Sequence, residues 1–261
     1  MIKILFFGDV VGRPGRGAVR RFLGEERDSF APDLVIANAD NLASGRGPTQ
    51  KTYDEMREMG VDVLTCGDHI WDQKEVLLVL ENQDCRLIRA FNYPEVCPGK
   101  GFVKLNVKGI DLVVASFMGR TWTAEGLNSP FTTVEELLKD LKERVVIIDF
   151  HAEATSEKNA FGLDLAGKVS AVIGTHTHVQ TADEKIFSNH TAYISDIGFC
   201  GPSDSVIGID PECSLKRFKT AMPLVFELAS GPRQVNGIYL EIDAKTGSAL
   251  KIERIIRAYE D

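Results

Sequence analysis

Cysteine is sparse in this chain: Cys66, Cys85, Cys97, Cys200 and Cys213 are scattered, odd in number and form no Cys-x-x-Cys pair. That argues against a disulfide framework and a thiolate zinc site, and leaves reduced thiols. No apolar run approaches membrane-spanning length, and the N-terminal stretch meets Asp9 too soon for a signal peptide. A soluble, cytoplasmic protein with no membrane partner is therefore expected. Basic residues are in deficit, 30 Lys and Arg against 38 Asp and Glu, for a net charge of -8. Such a chain lacks the cationic field needed to wrap long nucleic acid, although a small nucleotide remains compatible. Pro/Gly/Ser-rich linkers, charge blocks and internal repeats are also missing, which predicts a single domain over residues 1–261. Nothing in the composition sets the oligomeric state, and a homo-oligomer stays open.

What is present is an alternation of β-branched apolar runs with amphipathic stretches, the pattern of β-α units around a largely parallel, buried sheet. The runs are Ile2–Phe7, Leu34–Ala37, Val61–Thr65, Val145–Ile148 and Val169–Ile173. Helices are predicted around Gly17–Phe30, Thr49–Met59, Asp72–Glu81 and Thr133–Glu143, with Asp72 and Thr133 as N-caps. Phe102–Val107 and Leu112–Ala115 read as strands joined by a turn, and Thr121–Pro130 as an irregular surface loop. The last third carries strand-like segments at Ala192–Ile194, Leu224–Leu228, Gly237–Ile242 and Leu250–Ile256. A second sheet follows, and with it an α/β fold in four layers: an α/β/β/α sandwich of two mixed sheets.

Each of the first five runs ends in residues able to hold a metal. They are Asp9, then Asp40-Asn41, Asp68-His69, His151, and His176-Thr177-His178. In an open α/β sheet, residues at the carboxyl ends of strands converge however far apart they lie in sequence. One Asp or His after a strand is usually a turn former or a cap; five such placements together point to a shared site. The donors are carboxylate, carboxamide and imidazole without thiolate, which suits Fe, Mn or Zn.

These segments, Gly8-Asp9-Val10-Val11-Gly12, Asn38-Ala39-Asp40-Asn41, Gly67-Asp68-His69, Asp149-Phe150-His151-Ala152-Glu153 and Gly174-Thr175-His176-Thr177-His178, resemble the calcineurin-like metallophosphoesterases over the whole chain. The resemblance is specifically to the YmdB-like branch, which includes bacterial 2′,3′-cyclic-nucleotide phosphodiesterases. It implies two divalent or mixed-valence metal ions, Fe ahead of Mn or Zn. One would sit on Asp9, Asp40, Asn41 and His178, the other on Asp40, Asp68, His151 and His176, with Asp40 as the bridge. His69 would be the general acid while a metal-bridging hydroxide attacks phosphorus. The implied substrates are small cyclic nucleotides, 2′,3′-cyclic ahead of 3′,5′-cyclic. A phosphomonoesterase or protein phosphatase on the same centre, and a weakly catalytic regulatory protein, are the competing readings.

Three positions depart from the pattern. Val11 stands where the broad superfamily has His, Asp40 is shorter than the usual bridging Glu, and Asp68 is an anion where Asn is usual. Glu153 and Thr155 are candidate partners for the metal-site imidazoles. Gly12-Arg13-Pro14-Gly15-Arg16-Gly17 matches neither the Rossmann nor the Walker fingerprint and reads as a turn that sets up a helix; Ser44–Gly47 and Arg120 read as solvated surface.

Overall fold

Side-chain alternation along two sheets decides the layering. Strands β1 (Ile2–Val10), β2 (Leu34–Asn38), β3 (Val63–Thr65) and β4 (Leu87–Ile88) run parallel. Across this sheet Leu5, Phe7, Val35 and Ala37 turn to one face, while Ile4, Phe6, Leu34 and Ile36 turn to the other. The first set packs under the helices α1 (Gly12–Phe30), α2 (Gln50–Glu58) and α3 (Val76–Leu80). The second set meets Leu112, Val114, Val145 and Ile147 of the opposing sheet in an apolar layer between the two sheets. Those residues belong to β6 (Ile110–Met118) and β7 (Val145–His151), which pair with β5 (Phe102–Val107) and β8 (Ala171–Thr175). On the outer face of that sheet, Phe117, Val134, Leu137, Phe150 and Phe161 pack with α4 (Pro130–Asp140) and α5 (Thr155–Asp164). Period-two burial on both sheets thus produces the four layers expected.

The remaining elements are β9 (Lys185–Ile186), β10 (Ala192–Ile194), β11 (Phe199–Pro202), α6 (Pro211–Thr220), β12 (Arg233–Ile242) and β13 (Ala249–Tyr259). One sheet has the order β13-β12-β11-β1-β2-β3-β4, the other β5-β6-β7-β8-β10-β9, and both mix parallel with antiparallel pairs. This computed structural model describes residues 1–122 and 126–260. The centre of the Thr121–Pro130 loop lies outside the described residues. Among the described residues no helix is long and apolar enough to cross a membrane.

Several expectations need correction. Helix α1 starts at Gly12, five residues before the predicted start, because Pro14 falls in the first turn, where its missing N–H has no intrahelical partner to lose. Ser129, not Thr133, precedes α4, and the Thr133 hydroxyl donates back to the Ser129 carbonyl at 2.8 Å. Helix α3 spans only Val76–Leu80 behind a 3-10 turn at Asp68–Trp71, because the Asp72 carboxylate is engaged with His69 instead of capping. Leu224–Leu228 is not a strand: Leu228 makes a single bridge to Ile209, and the segment walls a cleft instead. Helices α5 and α6 were unforeseen. The first contains Gly162 and buries Lys158, so its amphipathic signal is weak.

Candidate active site

The strand ends meet as expected, and local irregularity aims them. Between Phe7 and Asp9 the β1–β2 register shifts by a bulge, which turns Asp9 toward the site. Gly67 lies so close to His151 that an added Cβ would stand 2.1 Å from its Cδ2, so only glycine lets that imidazole approach. His176 and His178 both adopt positive φ, 102° and 62°, an unfavourable backbone for side-chain-bearing residues. The turn that carries them is held from below by Asp196, whose Oδ2 accepts from the Thr177 N–H (3.0 Å) and hydroxyl (2.8 Å). Asp196 is paired in turn with Lys158 Nζ at 2.7 Å, both side chains being 2% exposed, and Lys158 also donates to the Thr175 carbonyl at 2.7 Å. Removing Lys158 strands a buried carboxylate. Lys158→Ala should cost about 3 kcal/mol of folding stability, read by denaturant titration, and should weaken metal retention by loosening the His176–His178 turn.

Hydrogen bonds assign which atoms face inward. Thr175 Oγ1 donates to Asp149 at 2.7 Å and therefore accepts from His151 Nδ1 at 2.9 Å, so the His151 Nε2 lone pair points the other way. There it meets Asp68 Oδ1 at 3.2 Å, Asp40 Oδ2 at 3.5 Å and His176 Nδ1 at 3.0 Å. The other nitrogen of His176 lies 3.1 Å from Glu153 Oε2, an ion-pair contact that favours a proton on that side of the ring and leaves Nδ1 to the site. With the His151 Nε2 proton displaced, four acceptor atoms converge, a set that fits a cation.

A second set lies beside it. His178 Nδ1 donates to the Ile207 carbonyl at 2.9 Å, which leaves Nε2 as an acceptor, and Asn41 Nδ2 donates to the Gly45 carbonyl at 2.9 Å. Asn41 Oδ1 and His178 Nε2 therefore face each other at 3.1 Å as two acceptors. Asp9 Oδ1 is 3.9 Å from the same nitrogen, is fully buried and has no hydrogen-bond partner. A neutral imidazole would leave all three atoms unsatisfied, and a cation would satisfy them together. Asp40 adjoins the first set and directly precedes Asn41 of the second. Its Oδ1 accepts from the backbone N–H groups of Gly67 (2.7 Å) and His69 (3.0 Å), leaving Oδ2 directed at the site.

The electrostatics match a site built around positive charge. Burial pushes Asp9 up to about 6 despite the pull of His178 and His151. Burial, followed by the neighbouring His151, drives His176 down to about 4, so that ring is neutral and able to coordinate. Burial acts against the His151 imidazolium as well, yet Asp40, Asp68 and Asp9 together hold its proton well above the ordinary range. That proton occupies the place a cation would take.

His69 lies on the rim, with a ring nitrogen within 4.8 Å of ligand atoms of Asp40 and Asp68. Its Nδ1 is 3.0 Å from the Asp72 carboxylate, and the ring lines a cleft of about 510 Å³ with Asn41, His178, Arg46, Arg217 and Phe226. All seven expected ligands and His69 are thus gathered in one region. Glu153 does partner a site imidazole, but Thr155 does not: it begins α5, and Thr175 holds His151 instead. Sequence reading missed Asp72 and Lys158 as supports of the site. It took Asp196 mainly for a turn former at the pocket rim, whereas the Asp196 carboxylate holds the Thr177 N–H and hydroxyl and pairs with Lys158. It quoted Asn38, Asp149 and Thr175 only inside motifs, although Asn38 and Thr65 both donate to the buried Asp149 carboxylate below His151.

A four-layer α/β sandwich with acids, an amide and imidazoles gathered at its strand ends is the metallophosphoesterase architecture. Within that class the chain belongs to the YmdB-like protein family, whose model matches residues 5–255. It is 43% identical over 257 residues to a 2′,3′-cyclic-nucleotide 2′-phosphodiesterase of Bacillus subtilis, covering 98% of this chain and 97% of that one. Among solved structures it is similar to a hypothetical protein from Thermus thermophilus (TM-score 0.93, 40% identity, 99% of this chain and 100% of that one). It is also similar to a novel phosphatase from Mycoplasma pneumoniae (TM-score 0.94, 35% identity, 100% of this chain and 94% of that one).

Proposed function

We propose that this chain is a dinuclear metal-dependent phosphodiesterase that hydrolyses small cyclic nucleotides, 2′,3′-cyclic ahead of 3′,5′-cyclic. The observation that carries the reading is the convergence of ligand atoms just described, in which His151 and His178 have their other nitrogen hydrogen-bonded to an acceptor and His176 has Glu153 beside its own. Asp9, Asn41 and His178 would hold one cation and Asp68, His151 and His176 the other, with Asp40 serving both. Two bound cations would supply Lewis acidity toward the phosphate and an activated water. The oxygen- and nitrogen-only donor set suits Fe, with Mn or Zn as substitutes.

The chain's own groups do the rest. Arg46 and Arg217 bring positive charge to the cleft wall and offset the acidic centre for an incoming phosphate. With Nδ1 engaged by Asp72, His69 is oriented to present Nε2 as the proton donor to the departing ribose oxygen. Asp68 adds an anion where a neutral amide would serve. Asp68→Asn should keep partial turnover but bind its cation less tightly and change the metal preference, read by elemental analysis after Fe or Mn reconstitution.

Specificity constants for 2′,3′-cyclic, 3′,5′-cyclic and linear diesters, measured beside phosphomonoesters on the metal-loaded protein, test the reading. Diesters, with 2′,3′-cyclic nucleotides first, are the expected outcome. A much higher value on monoesters would replace it with a phosphomonoesterase.

A further inference from the structure

Outside the centre, the structure gathers positive charge in a way the overall composition conceals. A groove of about 770 Å³ is lined by Arg13, Arg16, Arg20, Lys51 and Arg233, with Glu55 as its one carboxylate. Glu55 is already engaged, by Arg16 Nε at 2.6 Å and Arg20 at 2.8 Å. Arg13 and Lys51 are exposed and have no ion-pair partner among the described residues. Five cations line the groove with a single carboxylate, which Arg16 and Arg20 share, and the exposed Arg13 and Lys51 add a local positive field, in a chain of net charge -8, that would attract an anion of several charges.

The groove adjoins the catalytic cleft. Val11 lines the cleft and Arg13 the groove, two residues apart at the start of α1. Arg16 Nη1 donates at 2.6 Å to the carbonyl of Leu42, the residue after the cleft-lining Asn41. The Leu228 side chain packs close to both Gly12 and Gly45. On the cleft side, Phe226 carries the Arg217 guanidinium 4.7 Å from its ring centroid, an aromatic and cationic surface of the kind on which a nucleobase stacks.

We infer that the chain acts on the 3′ ends of short oligoribonucleotides that terminate in a 2′,3′-cyclic phosphate, with the upstream phosphates held in the Arg13–Lys51–Arg233 groove. The inference rests on the proposed phosphodiesterase reading. A cyclic mononucleotide has no phosphate to place in the groove, whereas a chain of a few nucleotides continues from its terminal 5′ oxygen and has several. The step is hydrolysis: the water oxygen bonds to the terminal phosphorus, the bond from phosphorus to O2′ breaks, and O2′ takes up a proton, leaving a 3′-phosphate end. The groove has room for a few phosphates and not for long nucleic acid, in keeping with the acidic remainder of the chain.

The test compares a tetraribonucleotide ending in a 2′,3′-cyclic phosphate with the 2′,3′-cyclic mononucleotide of the same base, on the metal-loaded protein. The tetramer should have a kcat/KM higher by about tenfold or more at low salt, falling with salt at a log–log slope of about -0.7 per phosphate held. The Arg13→Glu/Lys51→Glu double variant should erase that advantage and leave mononucleotide turnover unchanged. Equal values on the two substrates, or an advantage untouched by the double variant, would overturn the inference. Fluorescence anisotropy with a labelled tetramer ending in a 3′-phosphate separates the two layers of the argument. If no cyclic substrate is hydrolysed, groove-dependent binding of the tetramer would sustain the binding site while the phosphodiesterase reading fails. Binding insensitive to the double variant would refute the groove itself.

Discussion

Replacing Asp40 with alanine should remove both metal ions at once and bring hydrolysis of 2′,3′-cyclic nucleotides down to the level of the metal-stripped protein. The reason is the bridging role proposed for it: Oδ2 lies 3.5 Å from His151 Nε2 in one set, while its neighbour in sequence, Asn41, supplies the other. Loss of any other carboxylate leaves one set with its charge intact. Alanine also strands the buried N–H of Gly67, at a cost of about 1–3 kcal/mol, and the partly buried N–H of His69. Asp40→Asn therefore belongs beside it, since an amide oxygen can still accept those bonds while the bridging charge is gone. Elemental analysis of both variants decides the matter. Two ions retained in either, with turnover near that of the parent, would end the assignment of Asp40 as the bridge.

His69→Ala is the second large effect, and its signature is opposite. Metal content should stay that of the parent, because His69 sits on the rim with its ring on Asp72. Turnover of cyclic nucleotides should fall by about 10²- to 10⁴-fold, the usual worth of a positioned proton donor. The loss should shrink for a diester whose leaving group is a nitrophenolate, which departs without protonation. An equal loss on both substrates would assign His69 to binding instead of proton transfer. An unchanged variant would favour a regulatory protein that retains the fold and the centre.

Why so much of the centre could be read from sequence follows from burial. Asp9, Asp40 and His151 directly follow or close apolar runs, and a polar group at the end of a buried strand requires a partner. The supports of the centre carry no such local mark. Lys158 sits in a helix of weak amphipathic signal and meets Asp196 from 38 residues away, so neither announces the pair. Asp72 resembles a helix cap, and only the fold shows its carboxylate on His69. Leu224–Leu228 has strand-like composition, but Leu228 reaches only a single bridge to Ile209 and the segment borders the cleft. The cationic groove is illegible for a related reason: Arg13, Lys51 and Arg233 come from three distant segments, and the net charge of -8 points the other way.

The most direct measurement is the metal content of anaerobically purified protein, taken on the same sample in which 2′,3′-cyclic nucleotide hydrolysis is followed before and after chelation. The expected result is two ions per chain, with hydrolysis that disappears on chelation and returns with Fe or Mn. Protein that holds no metal, and whose hydrolysis does not respond to added Fe, Mn or Zn, would contradict it.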